Sequence, residues 1–83
     1  MDKANYLVLC NRCLCYLRLG KLAFAYADAK AVVSLKPDFA KGHYRLALVF
    51  QNLGLLYEAR RALRRASALD PASVEIKNKL TEL

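Results

Sequence analysis

Displaced by 34 residues, the sequence falls onto itself: Gly20 on Gly54, Pro37 on Pro71 and Ala25 on Ala59. Leu14, Leu19, Leu22 and Leu35 fall on Leu48, Leu53, Leu56 and Leu69, Tyr16 falls on Phe50, and small Cys13 on small Ala47. Agreement of glycine, proline and apolar size at one offset marks an internal repeat, which decides the architecture before any single residue does. Each unit reads as two helices, because apolar residues recur at helical spacing on both sides of its glycine. Glycine ends the first helix by taking the left-handed conformation. Proline ends the second, since it has no N–H and bars helical geometry in the residue before it. Helices are expected near 3–19, 22–35, 39–53 and 55–69, with a fifth at about 72–83. Asp70 is the expected N-cap of that fifth helix and Pro71 its first position. No alternating pattern predicts a strand, so the fold class is all-α.

Two such units and one closing helix account for all 83 residues, read as a single domain over 1–83. Repeat one covers about 6–39, repeat two about 40–73 and a capping helix about 72–83. In that last helix Ala72, Ile76, Leu80 and Leu83 share one face, while Glu75, Lys77, Lys79 and Glu82 lie elsewhere. The first helix is different. Tyr6, Leu7, Val8, Leu9, Cys10, Leu14, Cys15 and Leu17 make it apolar nearly all round, as befits a helix inside a packed array. A preceding helical pair or another chain is therefore expected against it.

A helix-turn-helix unit of this length resembles the tetratricopeptide repeat (TPR). The stretch 11–37, NRCLCYLRLGKLAFAYADAKAVVSLKP, resembles one nearly complete unit, and 40–71 resembles the next. Cys13, Gly20 and Ala25 fall on the family's small positions in the first unit, and Ala47, Gly54, Ala59 and Ala66 in the second. Val32 departs from the pattern, which expects a small residue there. The resemblance implies helix pairs stacked in a right-handed solenoid, each burying apolar faces it cannot bury alone.

Within KPDFAKGHYR (36–45), Lys41 and Arg45 are four residues apart and share a helix face, whereas His43 is rotated away. Asn11 precedes Arg45 by one repeat, so in a stacked array these positions are neighbours and Asn11, Lys41 and Arg45 line one concave groove. Lysine offers a mobile cation, arginine a rigid fork and asparagine a neutral N–H, a set suited to a carboxylate. The Asn11-Arg12 pair and the Lys41-Gly42-x-x-Arg45 run are similar to the carboxylate-clamp subset of the family, found in co-chaperones. That resemblance implies binding of the acidic Glu-Glu-Val-Asp C-termini of the seventy- and ninety-kilodalton heat-shock chaperones. It also implies a further Lys and Asn from an earlier repeat, for which this chain has no residues. The alternative is a general scaffold that docks a protein or self-associates through its apolar first helix.

The remaining signals point away from catalysis. His43 has no Cys or acidic residue at ligand spacing and no nucleophile beside it, and the resemblance implies that it packs as a bulky side chain against the next helix. Cys10, Cys13 and Cys15 give a single C-x2-C, two ligands where a tetrahedral site needs four, so no metal and no cofactor are expected. Three clustered cysteines are no disulfide framework, and no signal peptide precedes them. The Tyr6–Leu19 stretch is broken by Asn11, Arg12 and Arg18, which argues against a membrane span. A reducing cytoplasmic setting follows, with the nucleus left open. Fourteen Lys and Arg against seven Asp and Glu, a formal charge of +7, favour acidic partners. Arg60, Arg61, Arg64 and Arg65 form one basic stripe on the second helix of repeat two, a candidate contact for an acidic partner. Nucleic acid is not expected there, since no aromatic residues interleave with the arginines.

Overall fold

Two left-handed glycines divide the molecule as its repeat requires. The computed structural model describes residues 5–83, folded into α1 (Tyr6–Arg18), α2 (Leu22–Leu35), α3 (Ala40–Asn52), α4 (Leu56–Leu69) and α5 (Val74–Glu82). Gly20 and Gly54 follow α1 and α3 with φ of 74° and 79°. In both turns the glycine N–H donates to the carbonyl three back, Leu17 or Gln51, and the next N–H donates to Tyr16 or Phe50 at 2.9 Å. This Schellman closure satisfies carbonyls that the helix end would otherwise leave open. The expected start of the first helix at 3 lies outside the described residues. Asn5 caps α1, its side-chain oxygen accepting the Val8 N–H at 3.2 Å.

The fifth helix corrects the reading of its start. Asp70 is the C-cap of α4, its N–H bonded to Ala66 O at 2.9 Å, and its carbonyl accepts from Ser73 in a turn. Ser73 is the N-cap of α5, accepting the Ile76 N–H at 3.3 Å. Ala72 consequently lies outside the helix and is exposed, while Ile76, Leu80 and Leu83 pack inward as expected. The 34-residue offset had this information, since Val74 stands one repeat after Ala40, where α3 begins.

α1 packs on α2, α2 on α3, α3 on α4 and α4 on α5, with α3 also against α1. Small residues permit this. Cys13, Ala25 and Ala29 are fully enclosed with Leu46 and Val49, and Ala47, Ala62 and Ala66 surround Leu63 beneath Tyr44 and Ile76. Phe50 touches both clusters and joins the halves of the core. Arg12 ties α1 to α2 through a two-pronged pair with buried Asp28, at 2.8 Å from Nε and 2.7 Å from Nη2. That carboxylate holds the guanidinium above its ordinary pKa.

Val32, the departure from the repeat pattern, is fully buried where α2 meets α3. A Cβ on Gly42 would stand 2.7 Å from Val32 Cγ1, so the missing side chain on α3 makes room for the larger one on α2. Gly42→Ala is expected to cost stability despite alanine's better helix propensity. The strain of forcing apart a packed core, about 1–3 kcal/mol, exceeds a propensity gain of about 1 kcal/mol. Thermal melts should show the loss, and Val32→Ala in the same chain should recover part of it. Among the described residues no helix is long and apolar enough to cross a membrane.

Candidate peptide-carboxylate groove

Arg45 is the unusual charge of this fold. It is 8% exposed, its Nε has no hydrogen-bond partner, and no carboxylate of the described residues pairs with it. Its guanidinium lies 6.0 Å from the centroid of the neighbouring Tyr44 ring. A buried cation without a counter-charge is costly, and folded proteins seldom carry one idly.

Two helices frame it. Cys10 of α1 is buried, which pushes its thiol up from the ordinary value, and the positive charges of Arg45 and then Lys41 oppose that shift. Cys10, the α1 residue that precedes Asn11, thus feels the charge of both α3 cations. Asn11 and Lys41 are exposed. Lys41 also borders a small cavity of about 50 Å³ with Asp70 and Glu75, yet makes no ion pair with either. Of the adjacent Asn11-Arg12 pair, Arg12 alone bonds another side chain among the described residues.

Farther along, Leu14, Leu17 and Arg18 of α1, Leu48, Gln51 and Asn52 of α3 and Lys79 of α5 line a cleft of about 400 Å³. Sequence reasoning did not assign this stretch, although the repeat contained its signal. Leu14 and Leu48, Leu17 and Gln51, and Arg18 and Asn52 are each 34 residues apart. Lys79 stands one repeat beyond Arg45, as Arg45 does beyond Asn11, and it pairs with Glu82 at 3.1 Å.

The other sequence candidates lie elsewhere. His43 is half-buried and donates from Nε2 to Pro37 O at 2.8 Å, so it ties α3 to the preceding turn. Cys10 and Cys13 point into the core and Cys15 outward. Burial pushes the Cys13 thiol up to about 11, which keeps it protonated and unreactive near neutrality. The arginine stripe divides. Arg60 is half-buried and donates to Leu83 O at 2.6 Å, whereas Arg61, Arg64 and Arg65 stay exposed.

No family model matches the chain. The first TPR of Spaghetti (RPAP3), solved with the HSP90 peptide SRMEEVD, superposes with a TM-score of 0.90 at 31% identity. The likeness covers 98% of this chain and 64% of that one. The chain belongs to the tetratricopeptide-repeat family. The second TPR domain of human RPAP3, in complex with the HSP70 peptide SGPTIEEVD, gives 0.89 at 27% identity over 98% of this chain and 68% of its own. The Hsp70-Hsp90 organizing protein of Triticum aestivum is 35% identical over 79 residues, 95% of this chain. This TPR chain spans only 14% of the length of that relative.

Proposed function

We propose that this TPR domain is a co-chaperone-type adaptor that holds the acidic C-terminal tails of the seventy- and ninety-kilodalton heat-shock chaperones. The tail lies along α1 and α3, with its terminal carboxylates between Asn11, Lys41 and Arg45. The burial of Arg45 without a counter-charge among the described residues carries this reading, since a carboxylate arriving from a ligand would supply one. Lys41 follows the carboxylate as a mobile point charge and Asn11 donates from its amide. Residues upstream in the tail run over Leu14, Leu17 and Leu48, with Arg18 and Lys79 at the rim. The two RPAP3 domains, solved with HSP90 and HSP70 peptides that both end in Glu-Glu-Val-Asp, support the assignment. The domain acts by binding and leaves chemistry to its partners, in a cytoplasmic setting.

Titration calorimetry with SRMEEVD tests it. Saturable binding is expected, and Lys41→Ala should weaken it by about tenfold, the loss of one charge-assisted contact. The C-amidated peptide should bind much more weakly. Equal affinity for the free-acid and amidated peptides would overturn the clamp. A second reading rests on Leu7 and Val8 of α1, 53% and 56% exposed, which suit docking of another chain. Sedimentation of Leu7→Glu beside the parent chain addresses it. A shift from dimer to monomer would favour self-association through α1.

A further inference from the structure

On α3, His43, Leu46 and Phe50 occupy a face about half a turn away from Lys41, Arg45, Leu48 and Asn52. There they meet Glu58, Arg61, Ala62, Arg64 and Arg65 of α4 around a cleft of about 650 Å³. Leu46 and Ala62 are buried and Phe50 half-buried, which makes an apolar floor. The rim is basic. Arg61, Arg64 and Arg65 are exposed and none makes an ion pair among the described residues, with Glu58 as the one acidic lining residue. From α2, the Tyr26 ring packs against Phe50 at 6.0 Å between centroids.

We propose that this cleft is a second docking site, which takes an acidic linear segment of a partner protein with an apolar side chain set between its carboxylates. Its volume lies within the roughly 300–1,000 Å³ typical of ligand clefts. Three guanidinium forks without counter-charges match carboxylates two-pronged, the chemistry by which arginine clusters read acidic motifs. The floor accepts one aliphatic or aromatic side chain and gives the contact a component that salt does not screen. Nucleic acid fits less well. Base stacking needs open rings, but Phe50 forms the floor and the exposed Tyr57 already has Arg61 over its face at 5.9 Å. The site is independent of the groove on the other side of α3, because it reads internal carboxylates and needs no chain terminus.

The test uses the ¹⁵N-labelled protein and an N-acetylated, C-amidated peptide of sequence Glu-Glu-Phe-Glu-Asp-Leu-Glu, which has no terminal carboxylate. Amide shifts are expected at His43, Phe50 and Ala62, with Asn11 and Lys41 unmoved. The double variant Arg64→Glu, Arg65→Glu, exposed at both positions, should keep its melting temperature and lose about tenfold in affinity. A peptide with glutamine at every acidic position should not bind. Shifts confined to the Asn11 and Lys41 side, no shifts at all, or unchanged affinity of the double variant would each overturn the proposal. Displacement of the peptide by single-stranded oligonucleotide at equal concentration would reassign the cleft to nucleic acid.

Discussion

Replacing Arg45 with methionine is expected to weaken binding of SRMEEVD by about a hundredfold while the free protein keeps or gains thermal stability. The two effects have one origin. Arg45 is 8% exposed with no carboxylate partner among the described residues, so folding desolvates a charge and gains no ion pair in return. Methionine fills similar space with no charge to desolvate, and such replacements of buried ions are neutral or stabilising by about 1–4 kcal/mol. Ligand binding reverses the balance. Truncating one side of a buried, hydrogen-bonded charge pair costs about 2–5 kcal/mol, and a hundredfold is about 2.7 kcal/mol. Calorimetric titration and a thermal scan of the same sample read both quantities. If the melting temperature of Arg45→Met falls by several degrees, the guanidinium is a structural element resting on Tyr44. If binding survives, the proposed role of Arg45 is wrong.

The second large effect lies in the core. Leu63 is fully buried on α4, where Tyr44 and Ala47 of α3 and Ile76 of α5 converge. Leu63→Ala is expected to destabilise the protein by about 3 kcal/mol, the sum of lost transfer energy and an unfilled cavity. Native domains are stable by only about 5–15 kcal/mol, so the change removes a large share. The melting temperature should drop by roughly 12–24 °C in a chain of this size. The loss should not be uniform. Ile76 anchors α5 and has Leu63 beneath it, whereas Cys13, Ala25 and Ala29 belong to the other cluster. Hydrogen exchange should therefore accelerate first in α5 and α4 and least in α1 and α2, because stacked repeats feel chiefly their neighbours. Equal acceleration in all five helices would mean that Phe50 couples the clusters into one cooperative unit.

Much of the fold could be read from residues of special geometry. Gly20 and Gly54 close α1 and α3 because few other residues adopt φ near +75° without strain. The boundaries of α2 were legible for the same reason, lying between one such glycine and Pro37. The start of α5 was misread because Asp70-Pro71 is a common helix opening. Here the α4 C-cap and its turn occupied Asp70 first, and Ser73 became the cap. Local signals in the sequence conflicted at this point, and the repeat offset was the better guide. The basic stripe was legible as a stripe, but its partners were not. Its spacing puts four arginines on adjoining helix positions, yet the packing of α5 draws Arg60 to Leu83 O and leaves three for solvent.

Sequence alone determined the repeat, the helical pairing and the positions at which one helix stacks on the next. Periodicity, glycine and proline act locally, and a fixed offset propagates them along the chain. It also put Asn11, Lys41 and Arg45 forward as a carboxylate-binding set. Only the tertiary structure decided what surrounds each charge. Arg12 finds Asp28 sixteen residues away, Arg60 finds Leu83, and Arg45 is enclosed with no counter-charge among the described residues. Burial and pairing depend on which side chains from distant helices arrive at the same place. One-dimensional spacing does not encode that.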